Sequence, residues 1–300
     1  MPLNFQIGAR TLMAIQRTMQ RVPLSLDDAL SGRLPALPPL EREAHGYSIT
    51  SLPEDRLEAM TFASGGMLPF VRQRYTRYHA DLSGGFDAYV ASLSSNTRQG
   101  MKRKAKKIAQ VSGGALDIRR FRTPDELEAF HDVARRISLR TYQERLLGSG
   151  LPDTAEFLHA MLTQGAGDKV RAWLMYIAGE PAAYLYCPIR SDTVIYEYVG
   201  HDPAFNDLSP GAVLQMEAMR DLFEEGRFAR FDFTEGEGQH KRAMSTGGVA
   251  CADLLLLRPS LANRATTVAL GGFNRTVALG KSAVAKAGLQ RWANKVRRGS

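Results

Sequence analysis

The residues whose types and spacing best suit chemistry are Ser209, Pro210, Gly211 and Ala212, which follow a strand-like run and a loop. A helical repeat begins there, with Ala212, Met216, Met219 and Phe223 in register and Glu217, Asp221 and Glu224 on the opposite face. The first N–H groups of a helix lack intrahelical partners and carry the positive end of its dipole. Pro210 suits the first helical position, and Gly211 lets a phosphate approach the backbone closely. Ser209, Gly211 and Ala212 are therefore candidate contacts for a pyrophosphate-bearing ligand. An ordinary helix capped by Ser209 has the same local sequence, so the surrounding elements must decide between the two.

Upstream lie three β-rich runs, residues 170–177, 181–189 and 193–199, separated by Ala178-Gly179-Glu180 and Arg190-Ser191-Asp192. Links this short imply antiparallel hairpins. Downstream, Gly226 ends the helix, 230–233 reads as a strand, 234–248 as a glycine-containing loop and 249–257 as a final strand. Further upstream, 86–93 and 96–109 carry helical patterns. The second has a Met101, Ala105, Ile108 stripe ringed by Arg98, Lys102, Arg103, Lys104, Lys106 and Lys107, which reads as a solvated face or a phosphate-facing one.

Residues 115–121 alternate as a strand, and Thr123, Pro124 and Glu126 supply a cap, a first-turn proline and a capping-box acid for a helix to about Gln143. Asp153 is expected to cap another helix over 154–162. Residues 67–78 are β-like, and Pro69 directs them to a sheet edge. The order from residue 115 is strand, helix, helix, three-strand meander, helix, strand, loop, strand. This implies an α/β fold with a mixed, mostly antiparallel sheet flanked by helices. Its strand–helix–strand crossover opens a strand end and the Ser209 helix start onto one crevice.

The net charge of +8 is unevenly spread, because Arg258 to Ser300 holds nine Lys or Arg and no Asp or Glu. The first 257 residues are therefore close to neutral, which does not suit a general nucleic-acid fold. Within the tail, Ala285, Leu289, Trp292 and Val296 follow helical spacing beside Lys286, Arg291, Lys295, Arg297 and Arg298. Residues 278–298 are thus a candidate contact with an anionic membrane surface. The first 20 residues lack an uninterrupted apolar block and no run approaches a membrane span, so a cytoplasmic protein is expected, peripheral at the inner membrane face if the tail binds there. Cys187 and Cys251 have no metal-ligand spacing, and no metal is expected.

The stretch from Tyr196 to Lys241 resembles the BioF2-like or CelD-like branch of the GNAT acetyltransferase superfamily, related to the FemAB peptidyltransferases. Gly200-His201-Asp202-Pro203, Ser209-Pro210-Gly211 and Asp232-Phe233-Thr234-Glu235-Gly236 match that branch's G-x-D-P, S-P-G and D-F-x-x-G elements in order. Ser94-Ser95-Asn96-Thr97-Arg98 before the basic helix resembles the family's entry to the domain, so the likeness spans about residues 75–257. His240 stands where the family has Tyr, and Lys241 matches its Lys.

The resemblance implies a GNAT-like domain at 47–258, with its core at 84–257, between an N-terminal arm and linker (1–46) and a basic C-terminal tail (259–300). It also implies an acyl donor, usually acyl-CoA and most often acetyl-CoA, held between splayed strands starting at Thr193 and Arg230. Acyl transfer to an amine needs a base and a donor for the developing oxyanion. Glu197, His201, Asp232, Glu235 and His240 are candidate bases, with Asp232, Glu235 and His240 the catalytic assignments and Lys241 a phosphate or acidic-substrate contact. The expected reaction is N-acyl transfer to a small-molecule or carrier-linked amine: a sugar, an amino acid or a cell-envelope polysaccharide precursor. Alternatives are a FemAB-like enzyme using aminoacyl-tRNA and a non-catalytic GNAT-like binding module.

Overall fold

The computed structural model describes residues 2–7, 10–141, 150–236 and 238–286. The chain folds as two units, residues 1–75 with 249–300 and residues 76–248. In the first, β1 (Pro2–Ile7) and β2 (Arg10–Gln16) form an antiparallel pair, and β3 (Met19–Pro23) runs parallel to β4 (Gly46–Pro53). Between them α1 (Leu26–Ser31) starts at a Ser25/Asp28 capping box and stops at Gly32, whose φ of 62° favours glycine. Residues 1–46 are thus largely regular structure rather than an arm. Pro23 ends β3, and Pro35, Pro38 and Pro39 fall in the irregular segment 33–45, so the prolines mark connections only. Next come α2 (Leu57–Ala63) and β5 (Leu68–Asp81), which belongs to this unit up to Tyr75.

The second unit continues β5 from Thr76 and adds α3 (Phe86–Ser92), α4 (Ser95–Val111), β6 (Asp117–Phe121) and α5 (Pro124–Arg140). The capping box of α5 forms as expected, with the Glu126 carboxylate accepting from the N–H groups of Thr123 and Arg122. The helix ends at Arg140, and Gln143 lies outside the described residues. In α6 (Ala155–Ala166) the cap is Thr154, one residue beyond the expected Asp153; its hydroxyl accepts from Phe157 N–H at 3.2 Å. The meander is β7 (Val170–Ile177), β8 (Glu180–Arg190) and a third strand in two pieces, β9 (Thr193–Ile195) and β10 (Tyr198–His201). A 3-10 turn (Pro203–Leu208), α7 (Pro210–Glu225), β11 (Arg230–Asp232) and α8 (Gln239–Met244) complete the unit.

Its strands lie in the order β5-β11-β9-β8-β7-β6, and β10 pairs with β8. All described pairs are antiparallel except β9 with β11. Alternate residues of β8 feed two cores, as the two-residue period of a strand requires. Leu185 and Cys187 join Val213, Leu222 and Phe231, whereas Tyr184 and Tyr186 join Leu127, Phe130 and Met161. Helices therefore cover both faces, giving the mixed, mostly antiparallel α/β fold read from the sequence. The edge position expected for β5 is not found. Beside β11 on one flank, its His79 carbonyl accepts from Thr246 N–H on the other, and Pro69 sits at the second residue, where a missing donor is tolerated.

The chain then returns to the first unit through β12 (Gly247–Leu257) and α9 (Leu261–Lys286). β12 lies antiparallel to β4 with a register shift between Ala252 and Leu254. Part of the expected tail is therefore helix; the side chains of the Ala285–Val296 stripe lie outside the described residues. Among the described residues, no helix is long and apolar enough to cross a membrane.

Candidate active site

The third meander strand is where the sheet opens. Thr193, Val194 and Ile195 pair in parallel with Arg230, Phe231 and Asp232, and Tyr196 N–H still donates to the Asp232 carbonyl at 2.9 Å. After Glu197 the chain resumes as β10 with β8 as its strand partner, in register from Tyr198 opposite Tyr186 to His201 opposite Ala183. A strand bonded along one flank directs alternate N–H and C=O groups away from its partner. β10 is therefore not paired with β11, and it is at this divergence that the order of elements predicts a crevice.

Gly200 fixes how tightly β10 packs. A Cβ there would lie 2.4 Å from the Tyr184 ring and 3.0 Å from Thr141 Cγ2. Asp202 then turns the chain: it is buried, accepts from Ala204 N–H at 2.9 Å, and pairs with Arg140 at 2.6 Å. His201 and Asn206 are joined across that turn at 2.8 Å.

The turn delivers the chain to the start of α7, but Ser209 does not cap it through its hydroxyl. Ser209 is left-handed (φ 53°, ψ 53°) and makes no side-chain capping bond; its carbonyl accepts from Ala212 N–H at 3.2 Å. The expected hydroxyl cap is thus replaced by a strained backbone turn. Gly211 is open, since an added Cβ would meet only His201 Nδ1, at 3.7 Å. Beside this end lies α4, which packs on α7 and the 3-10 turn, and Lys107 Nζ donates to the Asp207 carbonyl at 3.3 Å.

On the other side of the crevice, Asp232 is fully buried and cannot serve as a free base. Arg77 grips it with two nitrogens, Nε at 3.2 Å and Nη2 at 2.5 Å, and Thr234 N–H donates to its Oδ1 at 2.8 Å. Its role is to hold the end of β11 to β5 and to shape the turn at Thr234, a second left-handed residue (φ 61°) whose hydroxyl donates to the Tyr196 carbonyl. Sequence reasoning missed Arg77, which sits among alternating charged residues of β5 that suggest solvent.

Glu235 is exposed, and its carbonyl accepts from Lys241 Nζ at 2.5 Å. Lys241 is itself buried, so it staples the loop rather than reaching a phosphate. His240 is partly exposed, its ring centroid 6.1 Å from that of Tyr196 at the strand break. Burial of the ring, followed by the Lys241 charge, lowers its pKa and favours neutral imidazole. Glu197, at the break itself, keeps solvent access, yet partial loss of water around its carboxyl raises its pKa, with Arg190 opposing. Near the strand break, then, stand a carboxyl whose pKa is raised, Glu197, and an imidazole whose lowered pKa keeps it in the neutral, proton-accepting form, His240. Among the described residues no His, Cys, Asp and Glu cluster could hold a metal ion.

Residues 95–242 match the acetyltransferase (GNAT) domain family. Similar solved structures include a conserved protein of unknown function from Bacteroides thetaiotaomicron, 13% identical, covering 71% of this chain and 70% of its own with a TM-score of 0.51. Another is the C-terminal domain of a putative lysylphosphatidylglycerol synthetase from Agrobacterium fabrum, 10% identical, covering 76% and 72% with a TM-score of 0.51. At these identities the likeness concerns the fold. No curated protein matches the sequence. The family match spans the basic helix, the meander, the Ser209 helix start and the loop to Arg242, and identifies this stretch as an acetyltransferase (GNAT) domain.

Proposed function

We propose that the 76–248 unit transfers an acyl group from acyl-CoA to an amino group of a sugar, amino acid or envelope precursor. The observation that carries this reading is the parting of β10 from β11 in front of the α7 N-terminus. A thioester donor fits that layout. Its pyrophosphate takes the N–H groups at Gly211 and the helix dipole, and its amide-bearing arm continues the hydrogen bonding of β10.

The acceptor amine attacks the thioester carbonyl after losing a proton to Glu197, with His240 the second candidate base. The carbon–sulfur bond then breaks, and the thiolate leaves as thiol with a returned proton. Backbone N–H groups of β10 facing the crevice are suited to the oxyanion. Asp232 and Arg77 position the far wall, and Lys241 and Glu235 hold the loop.

A panel of acyl-CoA thioesters in a free-thiol release assay tests this directly. Gly211→Glu places a carboxylate at the helix start and should reduce kcat/KM on the order of 100-fold, comparable to about 3 kcal/mol of lost donor binding. Gly211→Ala meets only the His201 ring edge and should retain most activity. Unchanged turnover in Gly211→Glu would remove the phosphate site from the helix start.

One observation favours a second reading, in which aminoacyl-tRNA is the donor. Lys102, Arg103, Lys106 and Lys107 are exposed on α4, and Lys107 reaches the turn before Ser209. Salt-sensitive tRNA binding lost in a Lys102→Ala/Arg103→Ala/Lys106→Ala variant, with no response to acyl-CoA, would select it.

A further inference from the structure

The inner face of α9 is fixed by contacts within the first unit. Arg17 donates to Asn263 Oδ1 at 3.1 Å and to Thr266 Oγ1 at 2.9 Å, Asn263 Nδ2 donates to the Arg258 carbonyl at 3.0 Å, and Leu270 and Phe273 pack with Ile15, Met19, Phe70 and Leu255. These anchors recur at helical spacing and set the phase of the helix. The opposite face consists of Leu261, Arg264, Ala265, Val268, Gly272 and Arg275, all exposed or nearly so. Leu261 is 88% and Val268 74% exposed, two of the most open large apolar side chains among the described residues.

From this we infer that the outer face of α9 docks on an anionic phospholipid bilayer. Three features of the face converge on a lipid surface. Its charge has one sign, because the sequence from Arg258 to Ser300 contains nine Lys or Arg and no acid, so a second copy of the same face is repelled. Leu261 and Val268 share the arginines' side of the helix instead of lying on a separate one. A phosphate backbone gains nothing from an exposed Leu or Val, whereas a headgroup layer accepts the arginines and the acyl boundary beneath accepts the apolar tips. Arg264 and Arg275 are also long enough to keep their charged heads at the headgroups while their stems lie along apolar surface. The surface belongs to the first unit and is independent of the donor proposed for the second.

Co-sedimentation of the full chain with vesicles tests the inference. Phosphatidylcholine vesicles containing about one third phosphatidylglycerol should retain the protein at low salt and release it as salt rises, and phosphatidylcholine alone should not retain it. Arg264→Glu/Arg275→Glu should weaken binding on the order of 25-fold or more, about fivefold for each arginine that no longer meets a headgroup. Leu261→Ser/Val268→Ser should weaken it several-fold more than it weakens binding to a soluble polyanion such as heparin. Arg264→Lys/Arg275→Lys should bind as the parent does, which separates charge from folding. Three results would overturn the inference: no retention on anionic vesicles, undiminished retention of the charge-reversed variant, or a serine variant that loses nothing on vesicles. The last would point to a polyanion instead of a bilayer.

Discussion

Each unit of the molecule buries an aspartate within its sheet, and the two are held in different ways. Asp253, in β12 of the first unit, is 1% exposed and shares its oxygens among Arg72 Nη2 at 3.0 Å, Gln73 Nε2 at 2.7 Å, Ser51 N–H at 3.2 Å and Tyr75 Oη at 3.2 Å. Asp232, at the last residue of β11, takes its charge-assisted hydrogen bonds from Arg77, supplemented by Thr234 N–H. Asp253 sits beside the Ala252/Leu254 register shift, where many weak donors pin a bulge. Asp232 sits where the chain leaves the sheet, so one strong pair holds both the strand end and the turn at Thr234. The same buried chemistry is redundant in one unit and concentrated in the other.

That contrast is broken most directly by deleting the arginines. Arg77→Ala strands a buried carboxylate, and breaking such a pair costs about 3–5 kcal/mol. Arg72→Ala leaves three donors on Asp253, and because Arg72 is itself well exposed the loss should be about 1 kcal/mol. Urea unfolding of the two variants measures the gap. Equal losses would show that the first unit is no more redundant than the second. Arg77→Ala should also impair turnover at temperatures where the protein remains folded, because the Thr234 turn is released.

A smaller effect should follow from tightening the crevice strand. Gly200→Ala drives a methyl into the Tyr184 ring, a rigid neighbour packed among Phe130 and Tyr186, and overpacking of this kind costs about 1–3 kcal/mol. The loss should be accompanied by a changed KM for the donor if β10 supplies its hydrogen bonds. Destabilisation with unaltered KM would detach Gly200 from donor binding and leave it a packing residue.

How much of the fold and site is legible in the sequence depends on whether the signal is local. Thr123 and Glu126 announce α5, Gly226 announces the end of α7 in a left-handed residue (φ 67°), and the turn residues between 170 and 199 announce the meander. The break at Tyr196 and Glu197 has no Gly or Pro to mark it, since it arises from β9 pairing with β11 while β10 pairs with β8. Asp232 looks like a base because its sequence position faces the crevice; Arg77, 155 residues away, is what occupies it. Ser209 has the composition of a hydroxyl cap, and its left-handed backbone comes from closing the preceding 3-10 turn. The six-residue α8 is too short to impose a helical period on the loop that contains it.

The smallest expected effect separates the two aspartates by pH. His79 lies opposite Asp232 in the β5/β11 pair, its ring packs against Gly247, and its Nδ1 is buried without a hydrogen-bond partner. Burial lowers its pKa, as does Arg230, against the opposing charges of Asp232 and Asp81. The donors to Asp253 are a backbone N–H, an arginine, a glutamine amide and a tyrosine hydroxyl, with no histidine among them. A histidine with a depressed folded pKa is neutral in the native state, so above its unfolded value near 6.5 it leaves stability independent of pH. Below that value the unfolded chain binds the extra proton first, and stability falls until the folded pKa is reached. His240, also depressed, adds a slope of the same sign. The stability difference between the parent and His79→Gln should therefore move by a few tenths to about 1 kcal/mol in favour of the variant between pH 7.5 and 5. A difference that stays constant across that window would place no proton-linked strain at the Asp232 end of the sheet.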